Sequence, residues 1–219
     1  SRANYELFSS NTDLSRHIIN VVPMIQLKNE KARLNLGVDL ALEKNLESEI
    51  HLFPKVDFSL PIAENIFYLF ANVSGGVVKN NFLTMALENP FVNSTVQPMN
   101  TINKIELKGG MNGSFSSRVS FLAFVKYSSF DRLQLYYNDS ISSNKFNTLY
   151  TNGKVLNIHG ELTYRAGEKF EASVHIDQYK YSLDFSQKAW HHPNTEVKFS
   201  AKYNLRDKLY IDGALFGRG

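Results

Sequence analysis

The sequence predicts an all-β protein, an antiparallel up-and-down meander of about 10–12 long strands forming a transmembrane β-barrel or part of one. Three observations carry that prediction. Apolar and polar residues alternate with a period of two along stretches of roughly ten residues or more, about twice the usual strand length. The connections between these stretches are brief at one end and mostly long at the other. Phe and Tyr, 16 and 11 of them, supply rings that suit a pleated surface better than a helix.

Residues 1–16 (SRANYELFSSNTDLSR) are polar and without period, and read as a lead-in or loop. From about His17 to Leu27, Ile19, Val21, Ile25 and Leu27 share one parity, and KNEK at 28–31 turns the chain. The return strand is the plainest: Leu34, Leu36, Val38, Leu40 and Leu42 occupy one face, and Arg33, Asn35, Gly37, Asp39 and Glu43 the other. Between about Ser48 and Leu60, Leu52, Val56, Phe58 and Leu60 oppose His51, Lys55, Asp57 and Ser59. Pro54 removes a ladder donor, so a bulge, an edge position or a stretch beyond the paired region is expected there. Pro61–Asn65 turns the chain into Ile66–Ser74, apolar on both faces. Residues 75–100 form the first long connection, with a helical turn at Phe82–Leu87 that Asn89-Pro90 ends.

Thr101–Gly109 sets Ile105 and Leu107 against Lys104, Glu106 and Lys108, and a turn over GGMNG at 109–113 leads back through Phe115–Tyr127. The excursion at 128–153 holds a short hairpin of its own, near Leu133–Tyr137 and Phe146–Thr151. Val155–Arg165 places Leu156, Ile158, Leu162 and Tyr164 against Asn157, His159, Glu161, Thr163 and Arg165. RAGEK turns it, and Phe170, Ala172, Val174 and Ile176 return against Glu171, Ser173, His175 and Asp177. After a third long connection at 184–194, Val197, Phe199, Ala201 and Tyr203 oppose Glu196, Lys198, Ser200 and Lys202. A polar turn at 204–208 then leads to Leu209, Ile211 and Leu215.

The 219 residues read as a single β-barrel domain or barrel segment over 1–219, with long loops at 75–100, 128–153 and 184–194. A net charge of +3 with interleaved signs offers no basic stripe, so no nucleic-acid partner is expected. The absence of cysteine excludes a disulfide framework, thiolate zinc sites and a cysteine nucleophile. Ser1-Arg2-Ala3 opens with no signal-peptide pattern, and no run of about 18 apolar residues exists, so any membrane is crossed by strands. Parity alone does not separate a lipid-facing barrel from a soluble barrel or sandwich with its apolar parity inside. Strand length favours the membrane. So do Tyr127, Tyr164, Phe170, Tyr179, Tyr181, Phe185, Trp190 and Tyr203, which fall towards strand ends where interfacial girdles stand.

KAWHHPNTEVKFSAKYNLRDKLYIDGALF (Lys188 to Phe216), the VLNIHGELTYRAGEKFEASVHIDQYKY before it, and KNNFLTMALENPFV (Lys79 to Val92) resemble barrel strands and a loop of large Bacteroidetes-type outer-membrane proteins of the TonB-dependent receptor class. The resemblance covers about two-thirds of the chain by strand rhythm and a few phrases. It implies a barrel in the bacterial outer membrane, with lipid and other outer-membrane or surface proteins as partners. No plug domain or TonB box is recognisable, and the chain ends in Gly217-Arg218-Gly219 where this class has a terminal aromatic strand. A barrel segment of a longer protein is therefore expected, and plug-dependent import is not carried over. Asp139-Ser140-Ile141 matches a short O-glycosylation pattern associated with the same bacterial group.

No catalytic site, metal or cofactor is expected. His191 and His192 beside Trp190 point opposite ways on an extended chain and lack a third ligand nearby. His159 with Glu161, and His175 with Asp177, lie two apart on one strand face, close enough to pair across a hairpin. They belong to a polar parity that also holds Arg33, Asp39, Lys55, Asp57, Lys104, Glu106, Lys108, Glu171, Lys198 and Lys202, which reads as a wet lumen laced by cross-strand ion pairs. The favoured function is transport or surface reception by an outer-membrane barrel. The alternatives are a soluble barrel or sandwich holding an apolar ligand, and an outer-membrane structural or assembly partner with no transport path.

Overall fold

Alternating side chains force each apolar run into an extended strand, and in the computed structural model of the chain these strands pair side by side. It describes residues 2–9, 15–29, 32–44, 48–63, 66–139, 144–185, 189, 192–205 and 208–219, with side chains from residue 17 onward. The strands are β1 (Arg2–Ser9), β2 (Ser15–Val22), β3 (Met24–Lys28), β4 (Arg33–Lys44), β5 (Ser48–Ala63), β6 (Phe67–Val78), β7 (Thr101–Ser114), β8 (Val119–Asn138), β9 (Phe146–Ala166), β10 (Phe170–Leu183), β11 (Thr195–Leu205) and β12 (Leu209–Arg218), with one helix, α1 (Phe82–Glu88). They form one antiparallel sheet in chain order, β3 continuing β2 against the first half of β4.

Register carries side-chain parity from strand to strand. Asp57, Asn72, Lys108, Lys126, Asn157 and Tyr179 are successive cross-strand partners from β5 to β10, so the polar parities share one face. Burial runs opposite to that of a soluble protein. Val38 is 44% exposed, Ile158 51% and Ile176 49%, whereas Glu43 and Asn157 on the polar face are each 2% exposed. The sheltered face is thus the polar one, where a soluble barrel would enclose its apolar parity.

Residues 2–9, expected as lead-in, instead form β1, in register with β2 from Arg2↔Val22 to Ser9↔Ser15. Its alternation, Ala3, Tyr5 and Leu7 against Arg2, Asn4 and Glu6, is short and set in a polar stretch, which concealed it. Pro23 splits β2 from β3, and its carbonyl accepts from Val38 N–H at 3.3 Å. That bond turns the Val38 backbone away from β5, which makes Val38–Pro54 a non-hydrogen-bonded pair. Pro54 therefore presents its missing donor on the β6 side, where pairing begins only at Val56. It is the expected stretch beyond the paired region.

GGMNG does not turn. It lies inside β7, and the chain reverses at 115–118. Gly110 and Gly113 serve close approach: a Cβ at Gly113 would strike the Phe67 ring and the Ile66 carbonyl, and one at Gly110 the Ala123 backbone and the Phe124 side chain. The excursion at 128–153 is also no separate hairpin. β8 and β9 run straight through it, leaving 139–145 as the connection, because one extra residue in β8 between Phe130 and Leu133 shifts the alternation and imitates a strand end. β6 likewise continues to Val78, shortening the first long connection to 79–100.

Within that connection α1 forms where expected, capped by Asn81, whose side chain accepts from Thr84 N–H while the Thr84 hydroxyl accepts from Asn81 N–H. Met85 and Val92 pack on Tyr136, with Ala86, Val96 and Phe146 around them. The segment is thus docked on the extended β8–β9 hairpin.

Tyr164 and Phe170 meet at 6.3 Å on the apolar face near the short turns, beside Tyr203, which is Phe170's register partner. Tyr179 and Tyr181 correct the girdle assignment, since they share parity with Asp177 and stand on the polar face, stacked at 6.1 Å. Trp190 lies outside the described residues, as do Ser140 and Ile141 of the glycosylation pattern.

Gly110→Val should destabilise the protein by roughly 1–3 kcal/mol through overpacking. Gly160→Val, where a Cβ meets nothing within 4 Å, should shift the midpoint much less. Urea unfolding of both variants in detergent micelles reads the difference.

Candidate functional site

The polar face concentrates its chemistry in two clusters. The first lies near the long-connection end. Glu43 and Glu49 are direct register partners on β4 and β5, an arrangement that repels unless a cation intervenes. Arg132 on β8 supplies one: its guanidinium stands 3.3 Å from Glu43 Oε2 and 3.2 Å from Glu49 Oε2. His51 Nε2 lies 3.4 and 3.3 Å from the same two oxygens. Asn100 donates to Glu43 Oε1 at 2.9 Å, completing the coordination of a carboxylate that is almost wholly buried.

Arg132 reaches this position through strained backbone. Its φ of +56° is the one left-handed non-glycine conformation among the described residues, and it sits in the β8 bulge. Arg132 N–H donates to Asn152 Oδ1 at 3.3 Å, and Thr101 Oγ1 donates to the Arg132 carbonyl at 2.7 Å. Left-handed backbone at a non-glycine costs on the order of 1 kcal/mol or more, here offset by the two ion pairs. Glu49, His51, Phe53, Ile102, Lys104, Asp131 and Arg132 border a hollow of about 590 Å³.

The second cluster crosses β6 to β10. Phe124 stacks on His159 at 4.5 Å, and Lys108 Nζ stands 3.9 Å over the Phe124 ring and 5.7 Å from Phe70, a cation held by aromatic faces. His159 pairs with Asp177 (Nδ1 to Oδ1, 2.9 Å), and His175 with Glu161 (Nδ1 to Oε2, 3.4 Å). Register makes both pairs direct cross-strand partners.

The remaining expected residues spread along the face. Asp57 accepts from Asn72 at 2.8 Å, and Glu106 lies 3.7 Å from Lys126 Nζ and accepts from Ser128. Lys104 is the extra residue of a β7 bulge and reaches Asp131 at 2.7 Å. Glu171 binds Arg165 Nε at 2.6 Å, Lys198 stands over Phe216 at 5.4 Å, and Lys202 is in register with Glu171 and Asp212. Arg33, exposed at the start of β4, faces Ser59 across the ladder; Asp39 and Lys55 stand two rungs apart on the same face of the β4–β5 pair. His192 packs near Tyr181 at 5.7 Å, and His191 lies outside the described residues.

Sequence reasoning missed the Glu43 cluster. Glu43 and His51 stand on the polar parity at the end of β4 and the start of β5, and that closeness in sequence was the available signal. Nothing in the sequence announced Arg132, whose place depends on a bulge.

No protein-family model matches the chain, and no curated protein does. Solved structures do. The pyoverdine outer membrane receptor FpvA from Pseudomonas aeruginosa PAO1, bound to pyoverdine, matches with a TM-score of 0.64 at 9% identity, over 97% of this chain and 32% of that one. The ferric-catecholate import receptor Fiu from E. coli K12 gives 0.63 at 9%, over 94% and 34%. What is shared is the fold, this sheet matching part of the barrel in outer-membrane receptors of the TonB-dependent type. An FpvAI–pyocin S2 complex shows the same receptor barrel at a TM-score of 0.61, 12% identity, and 94% and 29% coverage. This chain thus spans about a third of the length of the receptors it matches.

Arg132→Ala should cost about 3 kcal/mol, the low end for an uncompensated buried charge because the guanidinium is itself partly exposed. Adding Glu43→Gln should recover part of that loss. A double-mutant cycle of urea midpoints in micelles measures both.

Proposed function

We propose that this chain forms part of the wall of an outer-membrane β-barrel that serves transport or surface reception. The observation that carries the reading is the inverted burial, with bulky apolar side chains exposed on one face of the sheet and charged pairs sheltered on the other. In lipid the apolar face is matched to its solvent and the polar face lines a wet lumen. The receptor-barrel likeness supports this. The transport and reception roles of the neighbours extend to this chain as part of the same proposal.

Geometry adds two supports. β8 and β9 have 20 and 21 residues, where about 9–11 suffice to span the hydrocarbon. The excess projects beyond the membrane on the long-connection side and carries the docked 79–100 segment, a surface for ligands or protein partners. Among the described residues β1 and β12 each keep one unpaired ladder edge. Open edges do not persist in hydrocarbon, so this reading requires both edges to be paired in the membrane. Eleven strands along the main path make half of the roughly 22 found in large outer-membrane transporters.

The absence of cysteine permits clean single-site labelling. A spin label at Val38 in the full-length protein, reconstituted in vesicles, should be relaxed by a lipid-soluble agent, and one at Asp39 by a water-soluble agent. A Val38 label shielded from both would defeat the lipid-facing assignment. Val38→Arg should cost roughly 2–4 kcal/mol near the bilayer midplane, whereas charge changes at Asp39 should alter ion selectivity at little cost in stability. Conductance of the full-length protein in planar bilayers then separates a transport path from a closed scaffold.

A further inference from the structure

His159, Glu161 and His175 converge from β9 and β10 so that His159 Nε2 and His175 Nδ1 both face Glu161 Oε2, at 3.8 and 3.4 Å. One ligand atom from each of the three residues lies within 4.8 Å of the other two. A tetrahedral Zn2+ with nitrogen and oxygen ligands at about 2.0–2.1 Å places its ligand atoms roughly 3.4 Å apart. The observed spacing needs only side-chain adjustment to reach this.

The outer atoms of each group are already engaged. His159 Nδ1 stands 2.9 Å from Asp177 Oδ1, a carboxylate oxygen that also accepts from Asn157 Nδ2 at 2.9 Å. A carboxylate only accepts, so Nδ1 carries the proton, and it is Nε2 that turns inward with the lone pair that a metal would take. His175 Nε2 lies 3.0 Å from Ser173 Oγ, which is 2.7 Å from Ser200 Oγ, a relay able to accept from Nε2–H in the tautomer that leaves Nδ1 bare. Glu161 Oε1 accepts from Thr163 Oγ1 at 3.1 Å. Three lone-pair donors thus face a common point, each oriented from behind, as metal ligands are. Among the described residues no lysine or arginine is ion-paired to Glu161 or Asp177, and the adjacent Lys198 directs its ammonium to Phe216. The Glu43–Glu49–His51 cluster differs, because Arg132 already serves as its cation.

We propose that His159, Glu161 and His175 bind a borderline divalent transition-metal ion of the Zn2+ class, with Asp177 and Ser173 as positioning residues. Imidazole and carboxylate donors select such ions over Mg2+ and Ca2+, and three protein ligands leave a fourth position for water or an incoming donor. The site goes beyond the function proposed above and does not rest on it, since binding to the wall reads the same whether or not the barrel conducts.

The test uses full-length protein with an affinity tag free of histidine, purified in micelles and stripped with EDTA. Calorimetric titration with ZnCl2 should show one site per chain, and CoCl2 should give the visible absorption of a nitrogen-ligated tetrahedral ion. His175→Gln and Glu161→Gln should weaken zinc by more than ~10-fold, and Asp177→Asn by about 10–100-fold. His51→Gln should leave affinity unchanged. Magnesium should not compete. If a ligand variant fails to fold, Asp177→Asn, which removes no proposed ligand, still reads the site. The proposal is overturned if the unmodified protein binds no zinc, or if it binds zinc as tightly as folded Asp177→Asn and His175→Gln do.

Discussion

Continuous antiparallel pairing, with its fixed two-residue alternation, is the constraint on which everything else in this sheet depends. A slip of one rung anywhere between β4 and β11 would turn a strand's leucines inward and its carboxylates outward. Register therefore makes electrostatic partners out of residues distant in sequence. His159 meets Asp177, and Glu161 meets His175, only because β9 and β10 keep step from Phe170↔Ala166 to Leu183↔Gly153. The same step-keeping forces Glu43 opposite Glu49, an unfavourable pair that the fold must resolve.

That resolution uses the one place where the ladder yields. A bulge adds a residue to β8, and the left-handed conformation of Arg132 swings its guanidinium to two strands that β8 does not adjoin. Glycine is the usual occupant of such a bulge position because it adopts positive φ without strain. A glycine here would relax the backbone and strand two carboxylates. Local strain and long-range charge neutralisation are thus two sides of one choice, and the second outweighs it because Glu43 is buried.

What was legible in the sequence is what alternation encodes. The five-residue apolar row of β4, the β9–β10 hairpin and the β11–β12 hairpin stood out because each strand shows both parities without interruption. The polar parity containing Lys55, Asp57, Glu106, Lys108, His159 and Asp177 was readable for the same reason. Where packing reasons displaced pattern reasons, reading failed. Gly110 and Gly113 looked like a turn but make room for aromatic rings, the extra residue beside Arg132 looked like a strand end, and β1 alternates only over a short stretch, Ala3, Tyr5 and Leu7 against Arg2, Asn4 and Glu6. Tyr179 and Tyr181 were placed by nearness to a strand end, although their parity with Asp177 already pointed to the polar face.

The Arg132 cluster also explains why the long connection is part of the scaffold. Asn100 donates to Glu43, while Asn80 N–H donates to Asn100 and the Asn80 amide binds Met99 and Thr101. Both ends of the 79–100 segment are therefore tied to the same buried carboxylate. Its middle is tied to the projecting hairpin, where Tyr136 donates to Glu88 at 2.9 Å and Tyr150 accepts from Met99 N–H at 2.8 Å. Burial and the adjacent Glu88 carboxylate hold the Tyr136 hydroxyl well above the usual tyrosine range, keeping it a donor at any physiological pH. A segment fixed at its ends and its middle presents its outer residues in one arrangement, and a partner that meets it encounters a preorganised surface whose ordering cost was met on folding.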